Sequence, residues 1–266
     1  MKYKTIVSPK NELIAHAYKL INNNSYSKTN NMFVVEKYKL FEEAYKNGFK
    51  IPTIFVLESK LAEIEPKLQA LKFDLRKVIL ISESVCNKLT DNASANYVFA
   101  ICERKPQKHI AFRSGQNVLF LDNIQDPGNL GTMIRSGFAL GMDLILLNNC
   151  VSLSNSKVIK ASMGGCFKPN LFELDNQTEA IKALNNYKTL KYKIISMCLD
   201  KNSIPLHKFK FNKNNNVILI GNEGHGIQPE LIKMSTNKIM IDMQNNMESL
   251  NAAIATAIVC YQLKFN

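Results

Sequence analysis

The chain of 266 residues has no apolar run long enough to span a bilayer, and its opening MKYKTIVSPKNE lacks the apolar core of a signal peptide. A membrane span and a secretory leader are excluded on that reading, and a cytoplasmic protein is expected. The six cysteines (Cys86, Cys102, Cys150, Cys166, Cys198, Cys260) include no CxxC pair, which argues against a zinc site and against a disulfide framework. Free, buried thiols fit them better. His16, His109, His207 and His225 show no HExxH-type spacing, so no metal is expected. No GKS or GKT occurs, which removes the P-loop nucleotide enzymes.

What the chain does have is positive charge, with 34 Lys and Arg against 22 Asp and Glu, a formal +12. A polyanionic partner follows, and nucleic acid is the commonest one. Residues 1–105 and 106–266 each carry +6, so no basic tail is singled out.

The stretch Val118 to Asn148 reads as strand, polar turn, helix and strand. Val118–Leu121 is an apolar run, and Asp126-Pro127-Gly128-Asn129 is a dense turn signal. Leu130, Met133, Ile134 and Phe138 recur at helical spacing until Gly141, and Leu144–Leu147 is a second buried run. Such a unit places its polar turn at the carboxyl end of a strand, where open α/β sheets bind ligands.

Along the chain, Ser8-Pro9 reads as a helix start, with Asn22–Ser25 ending that helix. Strands are expected at Met32–Val35, Thr53–Leu57, Val78–Ile81 and Tyr97–Ile101. Helices are expected at Tyr38–Asn47, Leu61–Leu71 (with Pro66 as a break or kink) and Glu83–Leu89. This is the pattern of a compact α/β sandwich. The charged, aperiodic stretch from Glu103 to Asn117 is the linker. Further strands are expected at Ile194–Cys198, Val217–Ile220 and Lys238–Met243, with helices at Thr178–Leu190 and Glu248–Leu263.

Two more polar clusters follow strands. The loop Gly221-Asn222-Glu223-Gly224-His225-Gly226 departs from the dinucleotide fingerprint GxGxxG, because Glu223 stands where the second glycine is needed. Its glycines instead allow main-chain groups to meet a flat, neutral ligand such as an adenine. The third cluster places Ser249 and Asn251 at the start of the terminal helix, where free amides bind a ligand or are simply capped.

With these residues in hand, DPGNLGTMIRSGFALG, VILIGNEGHGI and IDMQNNMESLNAAIATA resemble the three ordered motifs of the SpoU (TrmH) branch of the SPOUT RNA methyltransferases. ASMGG at 161–165 resembles a further feature of that family. The resemblance covers 117–266, and the preceding segment is similar to the small RNA substrate-binding domain of many rRNA-directed members.

The resemblance implies an α/β fold: an RNA substrate-binding α/β/α domain at 1–105, a linker at 106–116, and at 117–266 a SPOUT domain with a deep trefoil knot. Such knots are rare exceptions to the rule against threading. It also implies S-adenosylmethionine as cofactor, a homodimer with the active site near the subunit interface, and RNA as substrate. The product would be a 2'-O-methylated ribose, in 23S rRNA ahead of tRNA. Carried over, Asn129, Arg135, Glu223, Ser249 and Asn251 are the catalytic set. Gly221, Asn222, Glu223, Gly224, Ile241, Met243 and Leu250 form the cofactor pocket. Asp242 departs from the family, which usually has proline there. Arg135 is expected to bind the target phosphate and stabilise a developing alkoxide, since a guanidinium is a poor base. Six residues separate it from Asn129, which puts the two on different faces of a helix and points to Asn129 as the N-cap. The alternative is a non-catalytic RNA-binding or ribosome-assembly factor on the same fold. An NAD-type Rossmann enzyme ranks below both, for want of its glycines.

Overall fold

A computed structural model describes residues 3–90, 97–106, 109–244 and 249–265. The chain packs as two units: Met1–Pro106 with Ser152–Phe167, and Gln107–Val151 with Lys168–Asn266. The division expected from sequence assigned all of 117–266 to one domain. The structure differs in that 152–167 leaves the second unit to pack within the first.

In the first unit the chain runs β1 (Lys4–Ile6), α1 (Glu12–Asn22), α2 (Asn24–Thr29), β2 (Met32–Glu36), α3 (Tyr38–Lys46), β3 (Thr53–Leu57), α4 (Leu61–Ala70), β4 (Val78–Ile81), α5 (Glu83–Leu89) and β5 (Val98–Glu103). The sheet has the order β1-β4-β3-β5-β2, with β1, β4 and β3 parallel and β5 antiparallel to both β3 and β2. The stripe of α1 (Ile14, Ala17, Leu20, Ile21) packs with Phe55, Ile81, Val85 and Phe99 in one apolar cluster. Helix α1 is capped by Asn11, whose Oδ1 accepts the Leu13 N–H at 3.0 Å. The expected Ser8-Pro9 start is therefore three residues early, because Asn11 is an equally good cap nearer the first buried residue. Pro66 sits inside an unbroken α4, since buried Ile64 and Leu68 hold the helix to the sheet.

The inserted segment carries a short helix at Ser156–Ser162. Lys160 on it meets Glu36 Oε1 at 2.8 Å, and the ring of Phe167 stacks on Phe33. Gly164, at φ +89°, lies so close to Glu43 that a Cβ there would stand 3.1 Å from its side chain. The close approach expected at ASMGG is thus to Glu43.

The second unit runs β6 (Asn117–Asp122), α6 (Pro127–Ala139) and β7 (Leu144–Asn148); the inserted helix is α7 in chain order. Then come β8 (Leu171–Leu174), α8 (Gln177–Thr189), β9 (Lys193–Met197), β10 (Ile204–Pro205), β11 (Asn216–Ile220), α9 (Pro229–Ile232), β12 (Asn237–Met240) and α10 (Ala252–Phe265). Among the described residues its sheet has seven strands, ordered β10-β12-β9-β11-β6-β7-β8 and all parallel. Strands β6, β7 and β11 are buried throughout, as a sheet covered on both faces requires. The expected terminal helix from Glu248 begins outside the described residues. Among those described it starts at Ala252, with Asn251 as its cap accepting the Ala253 N–H at 2.9 Å. Ser249 lies two residues before that cap.

The fold also buries thiols, Cys102 and Cys166 in the first unit and Cys260 in α10. Burial pushes Cys166 and Cys260 up to about 12 and Cys102 higher still. A group whose pKa is raised by folding contributes stability in full below its unfolded value and loses it as pH climbs toward the folded value. Unfolding free energy should therefore fall above about pH 9, each thiol adding roughly 1.4 kcal/mol per pH unit. Denaturant melts of wild type and Cys260→Ala between about pH 8 and 11 should show a shallower slope in the variant; equal slopes would refute the assignment.

Candidate active site

The site lies at the carboxyl ends of β6, β9, β11 and β12. At the end of β6, Asp126 caps α6, its Oδ1 accepting the Asn129 N–H at 2.7 Å, and Pro127 takes the first helical position. Asn129 is therefore a first-turn residue and not the expected N-cap. Asp is as strong a cap as Asn, and it stands immediately before the proline. Relieved of capping, the Asn129 side chain reaches out of the helix. Its Nδ2 donates to Glu223 Oε1, and its Oδ1 accepts Asn251 Nδ2 at 3.0 Å. One amide thus joins three loops spread over 122 residues of sequence.

The loop after β11 closes on itself. Asn222 N–H donates to Gly226 O at 3.1 Å and Gly226 N–H returns to Asn222 O at 2.9 Å. Asn222 Oδ1 accepts the Gly224 N–H at 2.8 Å, while its Nδ2 donates to the Asn123 carbonyl at 3.2 Å. A Cβ on Gly221 would lie 2.2 Å from the Gly226 carbonyl carbon, so only glycine lets the loop fold back. Gly226, at φ +67°, makes the return.

Beside this loop is a cavity of about 380 Å³, within the usual range for small-molecule sites. Of the residues expected to hold a cofactor, Gly221, Asn222, Glu223, Ile241, Met243 and Leu250 line it, and so does Ser249. Gly224 does not; it serves the turn. Asn129, which bonds Glu223, and Asn251, which bonds Asn129, do not line the cavity, and Arg135 is exposed on α6 outside it. The expected strand Lys238–Met243 ends at Met240, which frees 241–243 to form wall. Asp242, where the resembling family usually has proline, pairs with His207 Nδ1 at 2.9 Å.

Residues that the motifs leave out complete the wall: Met197 at the end of β9, Cys198 and Leu199 after it, His225 in the glycine loop and Ile227 just past it. Their position just past a strand's carboxyl end was the available signal. Burial raises the Cys198 thiol, so it presents a neutral, soft surface to the cavity. Nearby Asp200 is held below the usual carboxylate range by the Lys238 ammonium, 2.7 Å away. Among the described residues no group of His, Cys, Asp and Glu could hold a metal, and no helix is long and apolar enough to cross a membrane. The arrangement is an apolar slot with main-chain polar groups along it and one carboxylate at its rim. It suits a flat heterocycle attached to a cationic group.

The profile of the SpoU rRNA Methylase family matches residues 116–261. A 23S rRNA (guanosine(2553)-2'-O)-methyltransferase of Bacillus subtilis, RlmP, is 28% identical over 98% of this chain and 99% of its own. An AdoMet-bound rRNA methyltransferase from Sinorhizobium meliloti superposes with a TM-score of 0.84 at 24% identity, over 99% of this chain and 98% of that one. The methyltransferase AviRb from Streptomyces viridochromogenes, in complex with AdoMet, also gives 0.84 at 20% identity, over 96% and 98%.

Because a side chain at 221 collides with main chain and not with a yielding side chain, Gly221→Ala should destabilise the protein by about 2 kcal/mol or more. Denaturant titration measures this; a loss below about 0.5 kcal/mol would mean that the loop reshapes at little cost.

Proposed function

The chain belongs to the SpoU rRNA Methylase family, and from that membership we propose that it is an S-adenosylmethionine-dependent methyltransferase acting on a ribose 2'-hydroxyl of RNA. Large-subunit (23S) rRNA is the substrate of choice, as the name of the full-length Bacillus subtilis relative suggests. The observation that carries the reading is the meeting of Asn129, Glu223 and Asn251 beside the cavity. Binding modules have no need to keep three separate loops tied at a pocket's rim.

The cavity fits the cofactor. Apolar walls from Ile220, Ile227, Ile239 and Leu250 suit an adenine, and the Glu223 carboxylate suits a cationic centre. Gly221, Asn222, Ile241, Met243 and Leu250 would hold it. Bound there, S-adenosylmethionine supplies an electrophilic methyl group carried on a sulfonium. The chain's own residues then have two tasks. The first is positioning, which can remove about 7–11 kcal/mol of barrier at best. Asn129 and Asn251 fix the Glu223 carboxylate for this purpose. The second is charge: Arg135 binds the phosphate beside the target ribose and stabilises the 2'-oxygen as its proton passes to that phosphate. Arg135 is exposed on α6, the helix that carries Asn129 in its first turn, where a polyanion can reach it.

The protein acts as a homodimer in the cytoplasm. Supporting the dimer is a stripe on α10, where Ile254, Ile258, Tyr261 and Phe265 recur at helical spacing and stand exposed. A second copy is the occupant, because α10 packs on α6, and covering it brings a partner surface up to the helix bearing Arg135. The segment after β12 threads to form the trefoil knot. It must pass from β12, next to one sheet edge, back to α6, and Ile241, Met243 and Leu250 line the cavity along the way. The first unit serves as the RNA substrate-binding domain, and its share of the +12 charge supports this.

Labelled S-adenosylmethionine should bind saturably to the purified protein; absence of saturable uptake would leave only the RNA-binding reading. Arg135→Ala should lower the methyl-transfer rate about 10²–10³-fold with RNA affinity retained. Unchanged turnover would remove Arg135 from the mechanism. RNA affinity should fall steeply with added salt, as counterion release requires.

A further inference from the structure

The glycine loop is gripped from below by a residue that the site's motifs leave unassigned. Asp122, the last residue of β6, is fully buried. Its Oδ1 accepts Asn148 Nδ2 at 2.8 Å and Gln228 Nε2 at 3.0 Å, and its Oδ2 accepts the Gln228 main-chain N–H at 2.8 Å. No salt bridge among the described residues involves it. A buried carboxylate held only by neutral donors is costly to desolvate, and a leucine would fill the same space without that cost. Asn148, its register partner on β7, turns its amide toward the carboxylate and leaves its own buried Oδ1 without a partner. The polarity of the cluster is thus set by Asp122.

The cluster leads to the site. Gln228 lies two residues past the glycine loop, and the next residue after Asp122, Asn123, receives Asn222 Nδ2 on its carbonyl. Two consecutive residues at the end of β6 therefore hold the loop at both of its ends. Glu223 stands between those fixed points and meets Asn129. We propose that Asp122 is a positioning residue for methyl transfer: by holding Gln228 it sets where the Glu223 carboxylate stands, without touching substrate or cofactor. This rests on the function proposed above.

The test compares full-length wild type, Asp122→Leu, Asp122→Asn and Gln228→Ala. Transfer from tritiated S-adenosylmethionine to transcribed 23S rRNA is measured alongside amide hydrogen exchange of residues 221–228. In Asp122→Leu, which leaves both Gln228 donors without their acceptor, kcat should fall about ten- to a hundredfold and loop exchange should rise at least about tenfold, with RNA binding unchanged. In Asp122→Asn the side-chain oxygen still accepts the Gln228 main-chain N–H, and its amide donates to the oxygens of Gln228 and Asn148 once those two amides turn. Exchange protection and kcat should then stay within about fivefold of wild type. Should Asp122→Leu fail to fold, Gln228→Ala keeps the buried carboxylate and its Asn148 bond, and is held to the same criteria. Wild-type kcat and exchange in Asp122→Leu and Gln228→Ala, or a loss in Asp122→Asn as large as in Asp122→Leu, would overturn the proposal. If wild type itself transfers no methyl, the exchange data still decide whether Asp122 anchors the loop, and the failure lies with the function.

Discussion

The site depends on one amide. Asn129 uses both ends of its side chain at once, donating to Glu223 and accepting from Asn251, and so joins the loops that follow β6, β11 and β12. An amide is suited to this, because it presents a donor and an acceptor on one rigid plane. A carboxylate at 129 could not donate to Glu223, and a lysine could not accept from Asn251. The bond is available only because Asp126 performs the capping that would otherwise occupy Asn129.

Around that amide the parallel sheet supplies the rest. Seven parallel strands direct their carboxyl ends one way, so loops distant in sequence are delivered to one edge without specific design of each. What needs specific residues is the last few ångströms. Gly221 permits a reversal that any Cβ would block, Asn222 braces the turn, and Asp122 ties its exit to the sheet. Close-packed main chain is a stiff support, and stiffness is what a transfer reaction between two positioned atoms requires.

Much of this was legible in the sequence because its signals are local. The turn Asp126–Asn129, the helical period that follows and the Gly141 stop specify β6 and β7 to within one residue and α6 to within three. Long-range partners were not legible. Nothing in the spacing of His207 and Asp242 announces their contact, and Asn129 looked like a cap because Asn and Asp are nearly equivalent in that role. Short elements also escaped. Neither β8, four residues of mixed burial, nor α7, a seven-residue helix, shows a full period. The wall residues Met197 and Leu199 went unmarked, since an apolar residue at or just past a strand's end carries no sign of the cavity it lines.

The excursion of 152–167 bears on modularity. The chain enters the second unit, returns to the first for sixteen residues carrying buried Val158, Ile159 and Phe167, and goes back. A single cut near Pro106 would not yield two intact halves. The catalytic half would keep an apolar strap whose packing partners, Phe33 and Phe49, had been removed. The first unit, for its part, would lose the lysine that neutralises Glu36. Gene fusion or domain exchange at that boundary would therefore have to carry the strap's counterpart along, which ties the inheritance of the two parts together.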